Sequence, residues 1–240
     1  MCNNLKVSYR GLIVWDVDGT LIPADLRWLR RAIARTYQLP ESAVVFPPQR
    51  VHGYTDESIV IDTAVASGVR LQQAEAEVSR FGDVLLEVMD EGREELAREQ
   101  AAYPGVRDTI EALDREGFIQ TVLTGNLAQA ATVKLDAAGL NQYIDLSIGG
   151  FGSDARDRFE LTNVISRRFA ERHGEQLDPG RVVVIGDAPN DVACARQAGF
   201  HAIVVTHRAS REELAQSEPD VILSALEPDV VVAAASRLID

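Results

Sequence analysis

Leu12-Ile13-Val14-Trp15 is a continuous apolar run that ends in Asp16-Val17-Asp18-Gly19-Thr20. An apolar run of this kind predicts a strand buried on both faces, as in a parallel sheet. The two aspartates that follow lie two residues apart, so both side chains point to one side if the backbone stays extended. A turn at Gly19 would splay them toward the open end of the sheet. In open parallel sheets, ligands bind at the carboxyl ends of the strands. Two such carboxylates repel unless a cation lies between them or one retains its proton. A solvated turn is the plain alternative, since Asp-Gly is common in turns. A calcium loop would need its glycine at the sixth position, and Gly19 falls at the fourth.

The remainder of the chain resolves into two textures. Residues 24–100 read as helical. Leu26, Leu29, Ile33 and Tyr37 recur at helical spacing over 25–38, until Pro40. A second helix is expected over 56–67, stopping at Gly68. A third is expected over 72–100, with possible breaks at Gly82 and Gly92. From Tyr103 onward, helices and short apolar runs alternate. Helices are expected to about Glu116, to Ala138, over 159–173 and over 190–198. Strands are expected over 118–123, 143–148, 181–185, 203–205 and 221–223. Alternation of this kind predicts right-handed crossovers and a parallel α/β sheet of Rossmann type, to which residues 12–16 also belong. The domains are therefore expected to be a core of 1–23 and 101–240, with a helical unit of 24–100 inserted after the first strand.

Of 240 residues, 46% are hydrophobic and 25% charged, an ordinary globular balance. No run approaches the ~20 apolar residues of a membrane span. The N-terminus has no signal-peptide pattern. Cys2 and Cys194 have no metal-type spacing, so a reduced cytoplasmic setting is expected. A formal net charge of −13 argues against nucleic-acid or acidic-membrane partners. Only Lys6 and Lys134 are lysines; the other 22 of the 24 basic residues are arginines, so a buried phosphate partner should be arginine.

Three expected strands end in polar signatures: Asp16/Asp18, Thr124-Gly125-Asn126, and Gly186-Asp187 followed by Asn190-Asp191. If those strands are neighbours, the groups converge. Thr124 offers a hydroxyl, and Gly125 and Asn126 offer amides at a helix start, a ready anion site. Asp16, Asp18 and Asp187 offer hard oxygen ligands suited to Mg²⁺. An anion site beside such a cluster points to phosphate.

In this combination the chain resembles the haloacid dehalogenase-like hydrolases, and within them the phosphoglycolate phosphatase-like branch. Asp16 to Thr20 match the first motif, DxDGT. Thr124 matches the second, and Gly186-Asp187 through Asp191 match the fourth, GDxxxD. The third motif departs: the family usually has a lysine there, and no lysine follows Lys134. Arg158 occupies the equivalent place, with Arg156 as the alternative.

The resemblance implies a helical C1 cap over 24–100 and a two-step phosphoryl transfer. Asp16 would attack phosphorus, and Asp18 would serve as acid and then base. Thr124 and Arg158 would hold phosphoryl oxygens. Mg²⁺ would lie between the Asp16 side chain, the Asp18 carbonyl oxygen and Asp187, with Asp191 orienting ligands behind them. Arg50 and His52 would face the leaving group. Asp18 argues against a dehalogenase, which lacks the second aspartate. The absence of lysine from 24–100 argues against a phosphonatase. A small phosphorylated metabolite, acted on by a monomer or homodimer, is the expected substrate. A phosphomutase, or a non-catalytic binding module on the same fold, remains the alternative. Two further groups are read as structural: the Arg27/Arg30/Arg31/Arg35 cluster as a solvated helix face, and Trp15 and Cys194 as core.

Overall fold

The computed structural model describes residues 9–47 and 54–240. Six parallel strands form one sheet: β1 (Leu12–Trp15), β2 (Ile119–Thr124), β3 (Gly150–Phe151), β4 (Val182–Gly186), β5 (His201–Val205) and β6 (Val221–Leu223). Their spatial order is β3-β2-β1-β4-β5-β6. The chain runs outward from β1 through β2 to β3, then returns to place β4 on the other side of β1. That reversal opens a crevice at the carboxyl end of β1, where a doubly wound sheet binds its ligand. The register is level across the crevice. Trp15 pairs with both Val122 and Ile185, so Asp16, Leu123 and Gly186 lie at the same height.

Alternate residues of β1 serve opposite faces, as a pleated strand requires. Ile13 and Trp15 pack with α5 (Val106–Arg115), α6 (Ala128–Ala137) and α10 (Pro228–Ile239). Leu12 and Val14 pack with α7 (Leu161–His173), α8 (Pro189–Ala198) and Leu214 of α9 (Arg211–Ala215). Trp15 is a core residue whose indole N–H donates to Gln120 Oε1 at 3.1 Å.

Between β1 and α5 the described residues form α1 (Arg27–Tyr37), α2 (Asp56–Ala66), α3 (Leu71–Glu91) and α4 (Arg93–Glu99), with one 3-10 turn at Glu41–Ala43. They gather a second core around Trp28, Ile33, Phe81, Met89 and Leu96. The expected third helix is split at Gly92, whose missing Cβ would lie 2.4 Å from the Trp28 ring; Gly82 stays helical. The arginines of α1 form an ion-pair seam instead of a freely solvated face. Arg27 and Arg31 share Glu95, Arg35 meets Glu91 at 2.7 Å, and Arg30 donates to the Val44 carbonyl.

The expected strand over 143–148 is absent. Asp145 accepts from the Ser147 amide at 2.9 Å and closes a 3-10 turn over Leu146–Ile148, so pairing with β2 is delayed to Gly150. Local side-chain capping outcompetes the ladder there. No expectation covered α9 or α10. Among the described residues, no helix is long and apolar enough to cross a membrane.

Candidate active site

Asp16 is the first residue past β1, and its amide still donates to the Ile185 carbonyl at 2.9 Å. The chain then folds back, with the Gly19 amide on the Ile22 carbonyl at 2.7 Å. Gly19 has φ +100°, and a Cβ there would stand 2.5 Å from Asp187 Oδ2. Only glycine meets both demands without strain. Asp187 follows β4 directly. Asp191, in the first turn of α8, turns back so that its Oδ2 accepts from the amides of Asp187 at 3.1 Å and Ala188 at 3.0 Å.

These turns bring Asp16, Asp187 and Asp191 together, with one oxygen from each within 4.8 Å of the others. All three are buried. Arg158, in a 3-10 turn ahead of α7, reaches into the cluster. Its Nη2 donates to Asp16 Oδ1 at 2.8 Å, to Asp191 Oδ1 at 2.6 Å and to the Leu123 carbonyl at 3.3 Å. Burial opposes its charge, but Asp191 and Asp16 outweigh that, so the guanidinium is held charged. One buried cation does not neutralise three carboxylates. Burial first, then mutual repulsion, pushes the carboxyls of Asp16 and Asp187 well above the usual range. Thr20 Oγ1 lies 3.2 Å from Asp187 Oδ1. Asp187 Oδ2 is buried without a hydrogen bond, and Arg208 Nη1 lies 3.4 Å from it. An excess of negative charge, hard oxygen donors and an orphaned carboxylate oxygen together fit a divalent cation of the Mg²⁺ kind.

The Asp18 carboxylate stands apart from this cluster. Its Oδ2 accepts from Asn126 Nδ2 at 2.6 Å and from Lys134 Nζ at 2.7 Å, and its Oδ1 from Gln100 Nε2 at 3.3 Å. Thr124 Oγ1 accepts from the Asn126 amide at 3.2 Å and from its Nδ2 at 2.7 Å. Asn126 thus supports Asp18 and Thr124, and its backbone N–H is already engaged. The next two amides are also taken, Leu127 by Asp56 Oδ2 and Ala128 by Ser153 Oγ. Gly125 lies under the helical insertion: a Cβ there would fall 1.9 Å from the Tyr54 carbonyl, and its own carbonyl accepts from the Asp56 amide.

Arg156 faces elsewhere. Its guanidinium pairs with Glu57 at 2.8 Å and Glu75 at 3.0 Å on α2 and α3, and its carbonyl accepts from Thr55 Oγ1. Cys194 is buried beside Arg158, and burial raises its thiol to about 11. Arg50 and His52 lie outside the described residues.

Sequence reasoning missed Lys134 and Asp56, which both line the cavity above Asp18. Lys134 carried a signal. It falls on the otherwise apolar buried face of α6, with Ala130, Ala131 and Leu135. A lysine in that stripe needs a partner. Asp56, at the start of α2, ends the segment with Arg50 and His52 that the resemblance turns toward the active site, but as a first-turn acid it reads equally as a helix cap.

Burial pushes the Asp56 carboxyl up to about 6, and nearby Lys134 and the Leu127 amide offset this only partly. A folded pKa above the unfolded one means that the native state binds the proton more tightly. Its penalty is therefore absent below about pH 4 and grows as pH rises through 6. Asp56→Asn keeps an acceptor for Leu127 and removes the penalty. The melting temperature of the variant, relative to the wild type, is expected to climb between pH 4 and pH 7. A pH-independent difference would contradict this.

The sequence model of the haloacid dehalogenase-like hydrolases matches residues 11–199. The chain is 29% identical over 216 residues to a phosphoglycolate phosphatase of Caulobacter vibrioides, covering 88% of this chain and 85% of that one. It is 24% identical over 235 residues to a phosphoglycolate phosphatase of Mesorhizobium japonicum, covering 96% and 97%. Among solved structures, a predicted phosphoglycolate phosphatase from Haemophilus somnus superposes with a TM-score of 0.64 at 22% identity, covering 93% and 97%, and so shares the fold.

Proposed function

Because the chain belongs to the haloacid dehalogenase-like hydrolases, in their phosphoglycolate phosphatase-like branch, we propose that this phosphoric monoester hydrolase is a Mg²⁺-dependent phosphatase of a small phosphorylated metabolite, working through an aspartyl-phosphate. The observation that carries this reading is the pair of aspartates after β1 in two different environments. Asp16 lies in the acidic cluster on Arg158, and Asp18 lies 2.7 Å from Lys134. Two carboxylates in distinct settings can divide two roles between them.

In this mechanism an Asp16 carboxylate oxygen attacks phosphorus, and the bond from phosphorus to the leaving oxygen breaks. Asp18 gives its proton to that oxygen, and the alcohol departs. Asp18 then takes a proton from water, the water oxygen attacks phosphorus, and the bond to Asp16 breaks to release phosphate. Thr124 and Arg158 hold phosphoryl oxygens, and Asp191 keeps Arg158 and the turn after β4 in place. Asp16, Asp187 and the Asp18 carbonyl oxygen would hold Mg²⁺. Bound there, the ion screens the repulsion between the Asp16 carboxylate and the phosphoryl group. The helical insertion over 24–100 serves as a cap, and Leu26, Leu29, Tyr54, Asp56 and Ile59 contribute its side of the cavity.

Release of inorganic phosphate from a panel of phosphorylated small metabolites, with and without Mg²⁺, tests the reading. Turnover of at least one metabolite, dependent on Mg²⁺, is expected. Failure to hydrolyse any of them, or p-nitrophenyl phosphate, would contradict it.

Metal binding has its own readout. A cation that binds only the folded cluster stabilises by mass action, about 2.7 kcal/mol at a hundredfold excess over Kd. Millimolar Mg²⁺ should therefore raise the melting temperature, and EDTA should abolish turnover. An unchanged melt together with EDTA-resistant activity would refute the metal site.

A further inference from the structure

Lys134 is one of two lysines in the chain, and its side chain is only 9% exposed. Burying an ammonium is unfavourable unless it is paired and hydrogen-bonded. Here it donates to Asp18 Oδ2 at 2.7 Å and to Asn126 Oδ1 at 2.7 Å. Asn126 closes the ring by donating to the same Asp18 oxygen at 2.6 Å and to Thr124 Oγ1 at 2.7 Å. Gln100, itself anchored on the Pro23 carbonyl at 2.7 Å, approaches the other Asp18 oxygen. The carboxylate is thereby held from α6 on one side and from the residue after α4 on the other.

This clamp answers a problem that the first motif creates. Asp18 follows Asp16 by two residues in a tight turn, and a cation held by Asp16, Asp187 and the Asp18 carbonyl oxygen would attract any free carboxylate nearby. A side chain captured there could not reach a leaving oxygen. We propose that Lys134 is a positioning residue that, with Asn126, holds the Asp18 carboxylate apart from the acidic cluster and in the orientation that serves proton transfer to the leaving group. The proposal rests on the phosphatase reading and adds to it a residue on α6 that acts through Asp18. Proton donors must be held in register with the oxygen that they protonate, and a displacement of about 1 Å can cost 10²-fold.

The leaving group supplies a test that a purely structural role would not pass. An alkoxide needs a proton to depart, whereas p-nitrophenolate departs as the anion. The ratio kcat/KM reports only steps up to the first irreversible one, so the later hydrolysis of the phosphoenzyme does not enter. Wild type, Lys134→Met and Lys134→Arg would be assayed on p-nitrophenyl phosphate and on an aliphatic phosphate monoester that the wild type hydrolyses. For Lys134→Met, kcat/KM on the aliphatic ester should fall about 10²-fold, toward the low end of what a general acid contributes, and by less than a tenth as much on the nitrophenyl ester. Lys134→Arg keeps the charge and guards against a folding failure. It should recover part of the loss on the aliphatic ester alone. Equal losses on the two esters in either variant, or no loss in Lys134→Met, would overturn the proposal. A wild type that hydrolyses neither p-nitrophenyl phosphate nor any aliphatic phosphate monoester would instead overturn the phosphatase reading and this inference with it.

Discussion

Asp16→Asn is expected to abolish phosphate release while leaving the fold intact. The amide is isosteric with the carboxylate, but it has no anionic oxygen to attack phosphorus. No neighbouring carboxylate is expected to replace it, because Asp191 is tied to the Asp187 and Ala188 amides and Asp18 to Lys134, and Asp187 would be engaged by the Mg²⁺. The loss should therefore reach the assay background. Stability should not suffer in the same way. Burial and the Asp191 charge already hold the Asp16 carboxyl above its usual range, so the native state disfavours its ionised form. That penalty is absent below the ordinary carboxylate range and grows as pH rises through the shifted value. In metal-free buffer the variant should hold its melting temperature better than the wild type as pH increases. Asp18→Asn should cut turnover by about 10²–10⁴-fold, the usual contribution of a general acid–base group. Steady-state kinetics beside melts at pH 6 and pH 8 check both outcomes. Wild-type turnover by Asp16→Asn would exclude Asp16 as the nucleophile.

Arg158→Ala should cost at least ~10²-fold in kcat/KM, and Arg156→Ala only a few-fold, because preorganised charge is what lowers a phosphoryl-transfer barrier. The two arginines lie two residues apart but in opposite surroundings. Arg158 is 5% exposed and sits on Asp16 and Asp191, whereas Arg156 is 49% exposed and bridges two glutamates of the helical insertion. Exposed pairs such as those of Arg156 contribute about 0–1 kcal/mol. Removing Arg158 leaves buried carboxylates uncompensated, a change that costs about 3–5 kcal/mol when no proton is taken up. Kinetics must therefore be read at a temperature where melts show each variant folded. Arg158→Lys should restore part of the activity, since a point charge survives without the second arm of the fork. Equal losses in the two alanine variants would remove Arg158 from its assigned role.

What the sequence discloses here follows the range of the forces involved. Strands such as Leu12–Trp15 and Val182–Gly186 are legible because they are buried on both faces and carry no polar interruption. Their polar ends are legible for the same reason, since a buried run that stops at aspartate marks the edge of the sheet. The stretch Tyr143 to Ile148 misleads because its apolar residues are close-packed by 3-10 turns, and a single Asp145 side chain decides between turn and ladder. Within the site, Asp16, Asp187 and Asp191 meet because β1 and β4 are neighbours, an order that alternation allows and the structure supplies. The partner of Asp18 is not local in that sense. Lys134 stands 116 residues away along the chain, and its position on an apolar helix face is the only trace that one sequence leaves. The separate settings of Arg156 and Arg158 depend on a turn of one residue, Asp157, whose side chain caps the Phe159 amide at 3.0 Å.

The most direct measurement of the central claim is the identity of the residue that carries phosphate during turnover. The enzyme would be acid-quenched while hydrolysing a phosphate ester in Mg²⁺, reduced with borohydride and mapped by peptide mass spectrometry. An aspartyl-phosphate at position 16 is reduced to homoserine there, and the account predicts that conversion in the wild type and its absence in Asp16→Asn. Homoserine at another aspartate, or none in an enzyme that is turning over, would contradict it.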